Sequence, residues 1–267
     1  MPRRSRDRRR GAGPLSPDAD LDLARRAAVA AGELLMQRYD GPASGLESKS
    51  SRTDMVSDAD KDAEALVRDL LASERPDDGL LAEEGSHSDA TSGRRWVVDP
   101  LDGTTNYLYR FPSWNVSVAL EDGQGSMVGV VHDPLRGETY TAIRGQGSWL
   151  GERRLEMHPP PGLGTALVAT GFSYEPERRA AQAELLTTLL PRVRDIRRAG
   201  AAALDLCWLA AGRVDAYYER GLNHWDWAAA SLVVSEAGGD VRPLEGEPAG
   251  LMASAPEIAD ELYALVA

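Results

Sequence analysis

One stretch of eleven residues constrains this chain more than any other: Trp96-Val97-Val98-Asp99-Pro100-Leu101-Asp102-Gly103-Thr104-Thr105-Asn106. An apolar run drives into two acids three residues apart, followed by Gly and two hydroxyls. Trp96 to Val98 has the pattern of the end of a buried strand. Pro100 has no N–H to give a ladder, so the strand is expected to stop there. Asp99 and Asp102 then stand at the mouth of a sheet, on a tight Asp-Gly turn, and loops at strand ends are where binding groups concentrate. Two carboxylates that close repel unless a cation lies between them. Hard divalent cations such as Mg²⁺ take such oxygen ligands. A turn that merely caps a strand uses the same dipeptides, so the segment alone leaves both readings open.

The 267 residues suit one large domain or two small ones sharing a cleft, and an apolar fraction of 42% is enough for a core. The net charge is −12; the first ten residues hold six Arg against one Asp, a local +5, which leaves −17 on the rest. Such a body is a poor nucleic-acid binder, because phosphate backbones need basic surface. Cys207 is the single cysteine, so no internal disulfide forms, and a reducing compartment, the cytoplasm, is expected. No apolar run approaches membrane-spanning length, and the basic start lacks the apolar segment of a secretory signal.

The chain is expected to divide into a disordered basic tail over 1–15, an α+β part over 16–158 and an α/β part over 159–267, with Pro159-Pro160-Pro161 as the joint. Ser16-Pro17-Asp18 predicts a helix start, continued by a stripe at Ala24, Ala27, Ala28, Ala31, Leu34 and Leu35. Ser57-Asp58-Ala59-Asp60 opens a second helix, closed by Pro76. Leu80 to Ala82 reads as a short strand, Gly85 to Gly93 as a mobile loop, and Trp114 to Leu120 as a half-buried strand. A hairpin is expected around Asp133 to Gly137. Beyond the prolines, strands near 166–169, 193–196, 214–218 and 251–253 alternate with helices over 176–190, 201–211, 227–237 and 258–266.

Three acidic clusters interrupt otherwise apolar surroundings: Glu83-Glu84 after a strand, Asp99 with Asp102 after the next, and Asp226 in His224-Trp225-Asp226-Trp227 at a helix start. Read singly, each is ordinary: strand-end acids are solvated, and a helix N-terminus favours negative charge. Read together, they stand where a cleft between two parts of a chain is built, and carboxylates converging there suit two divalent ions. Such a pair clamps the attacking and leaving oxygens of a phosphate ester.

Here the chain resembles the inositol monophosphatase family, within the lithium-sensitive, metal-dependent phosphatases that include fructose-1,6-bisphosphatase. The family's Asp-Pro-hydrophobic-Asp-Gly-Thr stands as Asp99 to Thr104. Its Trp-Asp opening a helix that ends in Glu-Ala-Gly-Gly stands as Trp225-Asp226 through Glu236-Ala237-Gly238-Gly239, and Glu-Glu-Gly-Ser stands as Glu83 to Ser86. The resemblance covers about residues 20–267. It implies a layered α-β-α-β-α sandwich of the sugar-phosphatase type: an antiparallel-sheet N-terminal part and an α/β C-terminal part. It further implies that Glu83, Asp99 and the Leu101 carbonyl hold a first Mg²⁺. Asp99, Asp102 and Asp226 hold a second, and a third, weaker ion lies near Glu83. Gly103 and Thr104 would offer amides to the phosphate, and Thr104 with Asp60 would orient and deprotonate the water. Asp60 also fits a capping box with Ser57.

Glu219, seven residues before Asp226, matches the family's acid that meets inositol hydroxyls, and Asp226 would share that role. Ala201 stands where the family often has Ser; its backbone can still meet the substrate, but it has no hydroxyl to offer, which leaves the substrate open. Lys49 matches a loop lysine. The small-molecule substrate implied is inositol monophosphate; histidinol phosphate, fructose-1,6-bisphosphate or a 3′-phosphonucleotide would use the same chemistry. A homodimer and Li⁺ inhibition are implied likewise. A role as a binding partner in a transcription or RNA complex through the Arg-rich start is the rival of another class. Haloacid-dehalogenase spacing, a phosphate loop and a Gly-x-Ser-x-Gly elbow are all missing from the sequence. The four His are scattered; His224 reads as a packed loop residue and Cys207 as core.

Overall fold

The computed structural model describes residues 16–41, 45–48 and 55–267; the Arg-rich start and Lys49 lie outside them. Helix α1 (Pro17–Tyr39) starts as its sequence dictates: the Ser16 hydroxyl accepts the Ala19 amide at 3.2 Å, and Pro17 occupies the first turn. Leu23, Ala24, Ala27, Ala28, Ala31 and Leu35 of its stripe are fully buried, and Leu34 is partly so. The short pair β1 (Glu47–Ser48) and β2 (Met55–Val56) precedes α2 (Asp58–Glu74), where Ser57 and Asp60 form a capping box.

Next come β3 (Gly79–Ala82), β4 (His87–Ser88), β5 (Arg95–Asp102), the single-turn helix α3 (Thr104–Tyr109), β6 (Asn115–Asp122), β7 (Gly125–Asp133), β8 (Glu138–Ile143), β9 (Gly147–Leu150) and β10 (Arg153–Arg154). They form one sheet in the order β10-β9-β8-β7-β6-β5-β3-β4, antiparallel except for β3 beside β5. The remainder is β11 (Leu167–Thr170), α4 (Pro176–Leu189), β12 (Asp195–Arg197), α5 (Ala202–Ala210), β13 (Ala216–Arg220), α6 (His224–Glu236), β14 (Asp240–Leu244), β15 (Gly250–Ser254) and α7 (Pro256–Val266). Its sheet runs β12-β11-β13-β15-β14, with parallel pairs β11–β12 and β11–β13 and antiparallel pairs β13–β15 and β14–β15.

Strand alternation sorts the side chains into layers. Trp96 and Val98 of β5 pack on α1 and α2, while Val97 points the other way, toward α5 and α6. On β13, Tyr217 faces α5 and α6, while Ala216 and Tyr218 face α7. Helix α5 and the middle of α6, residues 228–230 and 232–234, are buried because they lie between the two sheets. The result is the expected α-β-α-β-α sandwich. Sandwiching also explains why β6, expected to be half-buried, is buried on both faces. The expected loop after Gly85 contains β4, which pairs antiparallel with β3. An unexpected strand, β14, carries Pro243, tolerated because β14 is an edge.

The expected stop at Pro100 does not occur. Strand β5 runs on to Asp102 through a bulge: Asp99 pairs with Ser117 and Asp102 with Asn115, so the two residues between them oppose one on β6. Pro100 cannot bond to the ladder there, and the Leu101 amide turns instead to Asp99 Oδ1 at 3.0 Å. The extra residue reverses the alternation. Leu101 packs on the α1 and α2 side, and Asp102 faces α5. Two acids three residues apart, which a regular strand would send to opposite faces, therefore share one.

Candidate active site

A cavity of about 380 Å³ opens where β3, β5 and α3 meet the N-terminal ends of α5 and α6. Glu83, Asp99, Asp102 and Asp226 all line it, with Leu101, Gly103, Thr104 and Glu219. Asp102 is held most firmly. Its Oδ2 accepts the Asn115 side-chain amide at 2.7 Å and the Ala203 amide at 2.9 Å, and its Oδ1 accepts the Ala202 amide at 3.2 Å. It thus supplies the cap that Ala201, the residue before α5, has no side-chain oxygen to give. Asp226 occupies the third position of α6 and accepts the Asn223 amide at 2.6 Å in a reciprocal capping box.

Crowding these acids has an electrostatic cost. Burial pushes the Asp99 carboxyl well above the usual carboxylate range, and Glu83, Asp102 and Asp226 add to it. Asp226 is raised by burial, then by Asp102 and Glu83. Asp102 rises to about 6 by burial, against its amide donors. No Lys or Arg among the described residues is paired with these three. Such an all-oxygen, uncompensated donor set fits a hard divalent cation. Among the described residues no three His, Cys, Asp or Glu side chains are already closed round one ion position, although Glu83 and Asp99 lie within side-chain hydrogen-bond reach of each other.

Gly103 links strand to helix in the left-handed region at φ 90°, and a Cβ there would lie 2.9 Å from the Ser113 carbonyl. Only glycine meets both conditions. Thr104 Oγ1 lies 2.9 Å from Asp60 Oδ1 and 3.1 Å from the Leu101 carbonyl, so its one proton has two acceptors. Asp60 is fully buried, and its Oδ2 accepts the Ser57 amide at 3.0 Å and the Ser57 hydroxyl at 2.5 Å. The capping role and the contact with Thr104 are therefore both present, one on each oxygen. Asp60 reaches the cavity only through Thr104, and Ala201 is buried against Gly103, just behind the lining.

Glu219 accepts the Tyr217 hydroxyl at 2.9 Å and is pushed up to about 7 by burial, against that bond and Arg198. His224 lies in the first turn of α6 rather than in a loop. Its Nε2 is 2.7 Å from Glu121 Oε1, and its ring stands edge-on to Trp227. Cys207 is buried.

Two contributors escaped the sequence reading. Glu64, 4% exposed on α2, takes the Glu84 amide on Oε2 at 2.6 Å and the Ser86 amide on Oε1 at 2.8 Å, fixing the turn that carries Glu83. A signal existed: Asp60 and Glu64, one turn apart, share the stripe of Ala63, Val67 and Leu71, where an acid needs partners. Tyr217 offered no signal beyond standing two residues before Glu219 on a strand.

Comparison with known proteins identifies the family. The model of the inositol monophosphatase family matches residues 17–267. The inositol-1-monophosphatase SuhB of Mycobacterium tuberculosis H37Rv is 46% identical over 233 residues, covering 82% of this chain and 80% of that one. The Nus factor SuhB of Escherichia coli K12 is 40% identical over 228 residues, 85% of each. The crystal structure of the extragenic suppressor protein SuhB from Bartonella henselae matches with a TM-score of 0.87 at 35% identity, over 93% of this chain and 98% of that one. With motifs, fold and relatives in accord along almost its whole length, the chain belongs to the inositol monophosphatase family.

Proposed function

We propose that this protein is a Mg²⁺-dependent phosphomonoesterase that hydrolyses inositol monophosphate to inositol and phosphate. The observation that carries the reading is the convergence of Glu83, Asp99, Asp102 and Asp226, from three separate segments, on one cavity beside the Thr104–Asp60 pair. In this reading Glu83, Asp99 and the Leu101 carbonyl hold one ion. Asp99, Asp102 and Asp226 hold a second, and Glu83 lies near a third. Bound there, the cations neutralise the phosphate and make water acidic enough to attack near neutral pH.

The chain's own groups do the rest. Gly103 and Thr104 present amides to the phosphate at the start of α3. Thr104 orients the attacking water, whose proton passes through the threonine hydroxyl to Asp60 Oδ1. The bond from water oxygen to phosphorus forms as the bond to the alcohol oxygen breaks, in line and without a phospho-enzyme; the departing alkoxide takes a proton from solvent, and Asp60 returns its proton to solvent to close the cycle. Glu219 and Asp226 meet the hydroxyls of the departing inositol.

Phosphate release by purified protein with Mg²⁺ tests this across inositol-1-phosphate, histidinol phosphate, fructose-1,6-bisphosphate and a 3′-phosphonucleotide. Inositol-1-phosphate is expected to lead in kcat/KM, and the same assay with Li⁺ is expected to show inhibition. Release from no monoester would overturn the phosphatase reading, and a different leader would correct the substrate alone. A homodimer in sedimentation is expected on the same resemblance.

The relatives named Nus factor favour a second role for this chain beside catalysis, as a Nus factor itself. Deleting residues 1–13 tests whether catalysis needs the Arg-rich start. Phosphatase activity is expected to survive; its large loss would show that the Arg-rich start belongs to the enzyme.

A further inference from the structure

Glu219 has its carboxyl placed by two residues that take no part in the metal chemistry. Strand β11 pairs in parallel with β13 in the register Thr170 with Tyr218, so the next residue, Gly171, falls beside Glu219. In adjacent strands such neighbours project to the same face. A Cβ built on Gly171 would overlap Cδ and both carboxyl oxygens of Glu219. The Glu219 carboxyl therefore occupies the volume that any other side chain at 171 would take. No positive φ explains this glycine; the three atoms nearest to that Cβ all belong to Glu219. On the other side, the Tyr217 hydroxyl donates to Glu219 Oε2 at 2.9 Å from the same face of β13. Tyr217 is itself fully buried, so its hydroxyl is a fixed post.

We propose that Gly171 and Tyr217 are positioning residues that set the polyol specificity of the site, by leaving room for the Glu219 carboxyl on one side and holding it by a hydrogen bond on the other. The inference rests on the reading of Glu219 as the acid that meets the alcohol. A carboxylate at the wall of a cavity discriminates for substrates that carry a hydroxyl, because without one the acceptor capacity that Tyr217 does not use loses a partner when the cavity is filled. Moving that acceptor by the width of a methyl group should therefore affect the polyol ester far more than an ester without hydroxyls. Only the flexible end of a side chain stands nearest to a Cβ at 171, so the fold can accept Gly171→Ala by letting Glu219 swing aside.

The test compares inositol-1-phosphate with phenyl phosphate in four proteins: wild type, Gly171→Ala, Glu219→Ala and the double variant. Gly171→Ala is expected to lower the ratio of the two kcat/KM values by about tenfold, mainly through KM for the inositol ester. Added to Glu219→Ala, it is expected to change that ratio by less than about twofold, because the group it displaces is already gone. An equal loss on both substrates, or an additive loss in the double variant, would mean a general disturbance and overturn the proposal. Tyr217→Phe, which removes the hydrogen bond without changing the packing, is expected to lower the ratio severalfold; an unchanged ratio would remove Tyr217 from it. A crystal structure of Gly171→Ala gives a readout independent of activity: Glu219 still in its original place would refute the inference. Should wild type show no preference for the inositol ester, the substrate reading fails, while that structure still reports on the placement of Glu219.

Discussion

Asp60→Asn isolates the proposed proton acceptor with the least disturbance. The amide keeps one oxygen. Turned to Ser57, that oxygen still serves the amide of the capping residue at 3.0 Å and its hydroxyl at 2.5 Å, so most of the capping box survives. The amide nitrogen then faces Thr104 Oγ1, 2.9 Å away, and can only donate. Thr104 must turn its proton to the Leu101 carbonyl at 3.1 Å and accept from the amide, which reverses the direction in which it can pass a proton. For the helix cap the loss should stay below about 1 kcal/mol, a fall of roughly 2–4 °C in Tm for a chain this size. For catalysis, removing a positioned base costs about 10²–10⁴ in rate, or about 2.7–5.5 kcal/mol on the barrier. Phosphate release at saturating Mg²⁺, with Tm measured alongside, tests both. The variant is expected to fold and to lose at least about a hundredfold in kcat. Thr104→Val should lose as much, and the double variant no more than the worse single one, since the two act as a unit. A kcat within about threefold of wild type in a folded Asp60→Asn, or losses that multiply, would refute the relay.

Asp99→Asn is expected to abolish turnover, since Asp99 is assigned to both ions, whereas Asp226→Asn should mainly raise the Mg²⁺ requirement; a Mg²⁺ titration of each decides. Glu64→Gln leaves one turn amide facing an N–H donor, so the segment carrying Glu83 loosens. With about 1.5–3 kcal/mol in a charged hydrogen bond, a roughly tenfold weaker Ca²⁺ binding isotherm is expected, with kcat changed less; unchanged binding would separate Glu64 from the site. Asp205, in the first turn of α5, is buried with no hydrogen-bond partner on either oxygen among the described residues, and burial, then Glu219 and Asp102, raise its carboxyl well above the usual range. A raised acid favours the native state most at low pH, and that advantage is lost as pH rises from the ordinary carboxylate value toward the folded one. Asp205→Asn should therefore gain stability over wild type as pH rises from about 5 to about 8, by on the order of 1–3 kcal/mol at the upper end; a gap in Tm that does not widen with pH would count against it.

The sequence showed the acids plainly and the geometry that joins them hardly at all. Asp99 and Asp102 stand out because charge after an apolar run is rare, yet strand alternation sends residues three apart to opposite faces. What reunites them is the Pro100 bulge, and its register depends on Ser117 and Asn115, partners that only the folded sheet supplies. The capping box at Ser57 and Asp60 was legible because both members are local, while the contact of Asp60 with Thr104 spans 44 residues. Burial of α5 and of the middle of α6 is written in their runs of Ala, Leu and Val. Gly171 was not legible: its absent side chain matters only against Glu219, on another strand.

A common arrangement runs through the site, and it sets how variants must be read. Asp102 bonds the first amides of α5, Asp226 closes the capping box of α6, and Asp60 closes that of α2. Three of the acids proposed for the chemistry are thus also helix caps. A helix N-terminus favours negative charge, which offsets part of the cost of crowding carboxylates in a cavity. It also ties each acid to a rigid element, so its position does not depend on a mobile loop. The consequence is that a loss of activity on replacing any of these acids does not by itself identify a ligand, because the helix end is disturbed as well. Asparagine still accepts one amide bond and keeps most of a cap, whereas alanine loses both. The difference between the two at one position therefore separates the structural share from the chemical one. At Asp102 the Asn and Ala variants are expected to be equally inactive and to differ in Tm; equal Tm values would show that capping α5 contributes nothing there.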